Sequence, residues 1–400
     1  MPAPVPPTLP GGLDRCRLYA EYAGGLMAEL TGKGPRVDGG SAPSIPLEIK
    51  SELESMARRV HETWQTRVRL PYSLDDVRAA LEKTGLGETR NEHLRKSFGS
   101  SFGRMEDGGY GLVDSPAVYI DRDDNVIAWY LPGVFTRRRS EIIYEAMLQS
   151  VNIPGLFRKP RPRDNWRDHC EHFAVPERCE ILPTNTDISI CWYNRGFGPH
   201  NSLPAPSANL KHSNSGGLLF LERLEDTNAL MGALLFLVHP DLYNQQMAVL
   251  LELKGGHAKT GDRELMKRAF TVWSTPFTGF SVIANRETVF HRDNKGGQVL
   301  FDLVASFGRY RHGRFEVPLL GARFAYDPGT AFVLPGYLLE HGASKTDGER
   351  ICIASFFKPA VGYGALPNQY KEVPPPTLDH LRTIHGLSTP RSMDGEGIWN

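Results

Sequence analysis

Ser281-Val282-Ile283-Ala284-Asn285-Arg286-Glu287-Thr288-Val289-Phe290-His291-Arg292-Asp293 is an apolar-alternating stretch that ends on a histidine and a carboxylate. Residues i and i+2 of a strand share one face, so His291 and Asp293 point the same way. A third candidate ligand, His341, follows in Leu339-Glu340-His341-Gly342-Ala343, after another β-type run. Two imidazoles and one carboxylate are the ligand set of the facial triad, which holds non-heme Fe(II) and leaves positions open. Arg350 comes next, opening the β-rich run Arg350-Ile351-Cys352-Ile353-Ala354-Ser355-Phe356-Phe357. Its guanidinium has the fork geometry that grips a carboxylate co-substrate bidentately. His-x-Asp alone is common in long chains; joined to His341 and Arg350 within β-type sequence, it points to an iron centre.

Working outward, the chain after Pro276 breaks into short β-type runs at 279–285, 299–307, 315–325, 330–334 and 350–357, separated by Gly, Pro and Asp. That spacing predicts an antiparallel sandwich or barrel such as a double-stranded β-helix, a jelly-roll relative. Upstream, helices are expected over Glu48 to Arg69, from Ser73 to near Gly85, over Arg137 to Gln149, Leu242 to Leu253 and Arg263 to Trp273. Ser73-Leu74-Asp75-Asp76 resembles a capping box in which Asp stands for the usual Glu or Gln. Val113 to Leu131 reads as a hairpin turning at 123–125. The fold class expected is α+β: a jelly-roll core flanked by helices, with an N-terminal helical and β layer. The division expected is 1–47 flexible Pro/Gly-rich N-terminus and linker, 48–210 wrapping region, 211–365 catalytic core and 366–400 C-terminal extension.

Lys plus Arg and Asp plus Glu balance at 46 each, so no global field recruits nucleic acid and any such contact needs local basic patches. The densest patch is Arg158-Lys159-Pro160-Arg161-Pro162-Arg163 with Trp166 and Arg167 behind it; Arg137-Arg138-Arg139 is another. Each reads either as a phosphate grip or as a solvated surface. Five scattered cysteines without a CxxC pair suggest a reducing compartment rather than a disulfide framework. His169-Cys170-Glu171-His172 with Cys179 and Cys191 could be a zinc site, through Cys170, Cys179 and His172, although the spacing matches no standard finger. No apolar run approaches the length of a membrane span, and Met1 to Pro7 lacks the pattern of a signal peptide. The expectation is an intracellular, nuclear monomer.

The run from Ser281 to Asp293, with the later Pro328-Gly329-Thr330 and His341-Gly342, resembles the TET/JBP family of nucleic-acid-modifying Fe(II)/2-oxoglutarate dioxygenases, above all its fungal TET-like branch. The resemblance spans about residues 215 to 365, and the His-Arg-Asp triplet with Asn-Arg before it is its specific part. It implies that His291, Asp293 and His341 bind Fe(II) and form the catalytic set, while Arg350 holds the C5 carboxylate of 2-oxoglutarate. It also implies that Asn285 lines the co-substrate pocket, its alternative being a turn-forming asparagine. Cys352 occupies the slot where many such enzymes carry a serine hydroxyl. A thiol is the poorer donor, so either Arg350 and a hydroxyl elsewhere suffice or Lys358 takes part.

The implied partners are O2 and duplex DNA with a methylated base. The implied reaction oxidises 5-methylcytosine to 5-hydroxymethylcytosine and further, and/or demethylates N6-methyladenine with release of formaldehyde. A duplex base must be flipped to reach a buried iron. Phe290, Tyr337, Asn294 and Gly296 are candidates to frame it, although the aromatics could equally be core, and Arg161 and Arg163 to anchor the backbone. The chain lacks the cysteine-rich zinc region of the animal relatives, and Asn294-Lys295-Gly296-Gly297 departs from their pattern. Two other readings stay open: a 2-oxoglutarate-dependent hydroxylase of a protein side chain or small metabolite, and a non-catalytic jelly-roll that binds DNA or a partner.

Overall fold

The computed structural model describes residues 9–34, 45–83, 90–98, 111–162, 165–194, 196–211, 216–293 and 296–387. In chain order the helices are α1 (Gly12–Leu30), α2 (Leu47–Thr63), α3 (Leu74–Glu82), α4 (Arg90–Phe98) and α5 (Arg137–Leu148). After them come α6 (Gly216–Val238), α7 (Pro240–Gly255), α8 (Arg263–Phe270), α9 (Pro359–Ala365) and α10 (Leu378–His385). The strands before residue 270 are β1 (Arg67–Arg69), β2 (Leu112–Val113), β3 (Ala117–Ile120), β4 (Val126–Leu131) and β5 (Thr184–Ser189). Then follow β6 (Gly279–Ala284), β7 (Thr288–His291), β8 (Asp302–Arg311) and β9 (Arg314–Val317). The last four are β10 (Ala322–Ala325), β11 (Ala331–Leu334), β12 (His341–Ala343) and β13 (Asp347–Phe356).

These strands make an eight-stranded sheet ordered β1-β3-β4-β11-β8-β13-β6-β5 and a five-stranded sheet ordered β2-β10-β9-β12-β7. Pairing is antiparallel apart from β1 with β3 and β2 with β10. The architecture is the expected α+β jelly roll. Alternation along β13 and β11 divides the interior in two. Ile351, Ile353, Ala331 and Val333 join the helices in one core, with Trp64, Trp129, Leu230 and Trp273. Cys352, Phe332 and Leu334 face the second core with Phe315, Phe324 and Tyr326 of the five-stranded sheet side. Arg350, two positions before Cys352, therefore looks between the sheets.

Local chemistry sets the element ends. Ser73 and Asp76 complete the capping box: the Asp76 amide donates to Ser73 Oγ at 3.2 Å, and the Ser73 amide donates to Asp76 Oδ2 at 2.9 Å. The β3–β4 hairpin turns on Asp121, whose Oδ1 accepts from the amides of Asp123 and Asn125, with Asp124 at φ 65°. The second helix stops at Thr63 rather than Arg69, because Arg67 to Arg69 pair with β3. The expected run 315–325 is two strands, split where Pro318 cannot donate to a ladder and Gly321 takes φ 63°. The expected flexible stretch 1–47 instead contains the 19-residue α1, whose Leu13, Cys16, Tyr19 and Met27 bury in the helical core. The polar strand β5 carries no expectation from the sequence, and α6 extends well before the apolar stretch at Leu230 to Val238. Four strands of the large sheet, β1, β3, β4 and β5, come from before residue 211.

The basic triplet 137–139 is not a phosphate grip. Arg139 is buried against Glu52, with Nη2 to Oε1 at 2.6 Å, and Arg138 pairs with Glu48, so two of the three lock α5 onto α2. The helices of the described residues include none long and apolar enough to cross a membrane.

Candidate metal centre

Strand register builds the centre. On the paired strands β7 and β12, His291 and His341 lie directly opposite each other, with ring centroids 4.4 Å apart. Asp293 follows the end of β7, and its amide donates to Gly336 O at 2.9 Å. Nε2 of His291 and Nε2 of His341 each lie 3.7 Å from an oxygen of Asp293, Oδ1 and Oδ2 respectively. Among the described residues this is the one group of three or more His, Cys, Asp or Glu side chains whose ligand atoms converge, all within 4.8 Å. The 169–179 segment has no such convergence: Cys170 is exposed and the Cys179 thiol donates to Val175 O. The zinc alternative thus finds no converging ligand set among the described residues.

Both imidazoles present the same nitrogen. His291 Nδ1 lies 2.9 Å from Val289 O and His341 Nδ1 lies 2.9 Å from Leu339 O. A ring N–H given to a carbonyl leaves Nε2 with its lone pair, the form that ligates a metal. Burial, with the neighbouring His341, pushes His291 down to about 3, so that ring is neutral at ordinary pH. The recessed position of Asp293 acts to raise its carboxyl, but the two histidines, Arg167 and Lys358 outweigh this and hold it below its usual range. A neutral His291 beside an ionised carboxylate suits a divalent metal cation.

The surroundings are shaped for that group. A Cβ on Gly336 would stand 2.7 Å from Asp302 Oδ2, 3.1 Å from Asp293 Oδ2 and 3.4 Å from His341 Cε1. Only glycine lets the chain pass so close to both carboxylates. Asp302 opens the inward face of β8 and is buried beside the triad; burial first, then Asp293, raises its carboxyl well above the ordinary value, favouring the protonated form. From outside, Trp166 packs on His291 with ring centroids 4.8 Å apart, and Arg167 Nη2 pairs with Asp293 Oδ1 at 3.2 Å. Arg167 O accepts from Arg286 Nη1 and Asn185 Nδ2, which ties this arm to the sheet.

Deeper between the sheets lie two buried guanidiniums. Arg350 Nη2 donates to Arg286 O, while its Nη1 has no partner; Arg286 Nε is likewise without one. Neither has a carboxylate partner among the described residues. Burial and the nearby Arg167 guanidinium push Arg286 down to about 10, still cationic at neutral pH. Unpaired buried cations cost several kcal/mol each, on the order given for desolvated ions, so the donor set fits an anion such as the distal carboxylate of 2-oxoglutarate. Fe(II) fits the triad on the same reasoning, by donor type and convergence.

Other sequence candidates take different places. Asn285 sits at φ 53° and gives its Nδ2 to Ile181 O at 2.8 Å, so it is the turn-forming asparagine and not a pocket-lining amide. Phe290 neighbours His291 on β7 and so points to the opposite face, where it is 42% exposed; it does not frame the metal side. Tyr337 packs against the inter-sheet core. Gly296 stays with the site, its amide donating to Asp293 O and its open side 4.0 Å from Asp302 Oδ2. Arg161 is exposed beside the arm, its amide donating to Asp168 O. Asn294 and Arg163 lie outside the described residues. Sequence reasoning missed Trp166, Arg286 and Asp302 as site residues. Asp302 did leave a trace, as a lone acid within the apolar run Val299 to Ala305.

Comparison with known proteins agrees with this geometry. Residues 189–359 match the Tet_JBP family, described as the oxygenase domain of the 2OGFeDO superfamily. No curated protein matches the chain. Among solved structures, NgTET1 in complex with 5mC DNA is similar at 13% identity and TM-score 0.42, over 73% of this chain and 93% of that one. A 2OG-Fe(II) oxygenase family oxidoreductase from Burkholderia pseudomallei is similar at 16% identity and TM-score 0.29, over 58% and 84%. Residues 189–359 thus match an oxygenase domain of the 2-oxoglutarate/Fe(II) superfamily, whose cofactors are Fe(II) and 2-oxoglutarate, and the His-Asp-His triad lies within them.

Proposed function

We propose that this oxygenase oxidises methyl groups on bases of duplex DNA, acting on a flipped nucleotide. The observation that carries the reading is Asp302, a buried carboxyl beside Asp293 and His341 that favours its protonated form. A protonated carboxyl offers one donor and one acceptor, the complement of a base edge bearing an exocyclic amine and a ring nitrogen.

Two further features support it. Phe356 follows Arg350, Cys352 and Ala354 on the inward face of β13, with Lys358 Nζ 4.4 Å from its ring centroid. With Trp166 it supplies aromatic surface on which a base can stack. Arg158, Lys159 and Arg161 are exposed just ahead of the arm that touches the triad, which suits phosphate contacts. Net charge zero then reflects segregated charge rather than its absence.

When bound, Fe(II), 2-oxoglutarate and O2 supply the oxidising power: a methyl C–H becomes C–OH as 2-oxoglutarate becomes succinate and CO2. The chain's residues do the rest. His291, His341 and Asp293 would hold the metal. Arg350 and Arg286 would hold the co-substrate anion, and Trp166 with Arg167 would cover the ligand side from solvent. On 5-methylcytosine the product is 5-hydroxymethylcytosine and, with repeated turnover, higher oxidation states. On N6-methyladenine the hydroxymethyl amine breaks down to adenine and formaldehyde. The test is succinate release with methylated and unmethylated duplexes of one sequence. Stimulation confined to the methylated duplex is expected; stimulation only by peptides or small metabolites would overturn the reading in favour of a protein or metabolite hydroxylase.

A further inference from the structure

The slot two residues beyond Arg350 holds Cys352, a weak hydrogen-bond donor where a hydroxyl would strengthen the grip on a carboxylate. The inward face around it carries three hydroxyls. Ser306 and Tyr310 share a hydrogen bond at 2.5 Å, and Tyr310 OH donates to Tyr326 O. Those two protons are engaged by oxygen acceptors within the pair and the backbone. Tyr326 differs. Its one hydrogen-bond partner among the described residues is the Cys352 sulfur, 3.7 Å away, and sulfur is a weak acceptor.

Tyr326 is also rigid. It is 1% exposed, its amide donates to Gly313 O at 2.8 Å, its carbonyl accepts from Tyr310, and its ring packs on Phe315 with centroids 5.3 Å apart. Cys352 and Arg350 are both close enough to act on its hydroxyl electrostatically, and Arg350 keeps an unpartnered Nη1 in the same interior. We propose that the Tyr326 hydroxyl takes over the missing serine's part, anchoring the distal carboxylate of 2-oxoglutarate together with Arg350, while Cys352 only fills space. A phenol fixed by its backbone on both sides reaches a set depth, so the pair also selects the length of the 2-oxo acid. The proposal rests on the 2-oxoglutarate reading of this pocket.

The test titrates 2-oxoglutarate, and separately 2-oxobutyrate, which lacks the distal carboxylate, into Mn(II)-loaded full-length protein by calorimetry. The proteins are wild type, Tyr326→Phe, and Tyr326→Phe combined with Cys352→Ser. Loss of a hydrogen bond to a charged group corresponds to roughly tenfold weaker binding or more. Tyr326→Phe should therefore bind 2-oxoglutarate about tenfold more weakly while 2-oxobutyrate binding is unchanged. Cys352→Ser in the same chain should restore much of the loss, because it returns a hydroxyl to the slot. Unchanged 2-oxoglutarate affinity in Tyr326→Phe, or an equal loss for both acids, overturns the proposal. Wild type that binds the two acids equally would instead bring down the co-substrate reading beneath it.

Discussion

The β7–β12 pair and the arm at residues 165–173 meet at the metal centre but are held by different means. His291 and His341 are fixed by a strand register, and each imidazole is oriented by the carbonyl two residues before it. Trp166 reaches His291 through a ring contact, and Arg167 reaches Asp293 through an ion pair that is more than one-third exposed on both sides. Backbone ladders give position at every residue, whereas exposed ion pairs contribute about 0.2–1 kcal/mol. The ligand set is accordingly a fixed feature of the sheet, and the arm is a more weakly held attachment.

The largest effect should come from breaking the register-held side. His341→Ala removes one of three ligands, and turnover should fall to background while the melting temperature of the metal-free protein stays near wild type. Spectroscopic metal titration beside a melting curve checks both; wild-type metal affinity in this variant would contradict the assignment. Gly336→Ala is a subtler break of the same side. Its Cβ would crowd Asp302, Asp293 and His341 at 2.7 to 3.4 Å. Disturbing the groups that orient metal ligands costs about 10- to 100-fold in affinity, and Mn(II) titration should find a loss in that range.

The arm should behave otherwise. Trp166→Ala with Arg167→Ala is expected to reduce kcat/KM on methylated duplex about tenfold, from lost stacking. Metal affinity should change by less than about fivefold, as expected for an exposed pair. Parallel loss of both would mean that the arm belongs to the metal site and the contrast is false.

A further effect lies away from both regions, under the helices. Burial lowers His239 to about 3 and His385 to about 4. In the unfolded chain these rings take up protons near the ordinary value of 6.5, and in the folded chain they do not. The unfolded state thus binds more protons below about pH 6.5, and stability falls as the pH drops from there towards about 4. The contribution of these two rings, read from melting temperatures of wild type against their variants, should be flat above about pH 7.5 and decline through that window, by on the order of a few kcal/mol. Replacing His239 with Asn should flatten the decline, leaving the metal region unaffected.

The same contrast explains what could be read from the chain alone. His291, Asp293, His341 and Arg350 lie within sixty residues, on strands whose period of two was visible, so their meeting followed from local pattern. The capping box at Ser73 and the β3–β4 hairpin were legible for the same reason. Trp166 and Arg286 were not, because their contacts join segments over a hundred residues apart, brought together by an isolated bridge between Phe173 and Arg286 that no local pattern announces. Strand β5, Thr184–Ser189, is a polar run at a sheet edge and carries no apolar alternation to betray it. Asn285 reads from the sequence equally as a ligand or a turn residue, and its positive φ is what places it in a turn.

The most direct test of the whole account is mass spectrometry of duplex DNAs, each carrying one methylated base, after incubation with the protein, Fe(II), ascorbate and 2-oxoglutarate. The account predicts hydroxymethylcytosine from the 5-methylcytosine duplex, or unmodified adenine with formaldehyde from the N6-methyladenine duplex, and neither with Asp293→Ala. Intact methylated bases in every duplex, from protein that binds metal and 2-oxoglutarate normally, would contradict it.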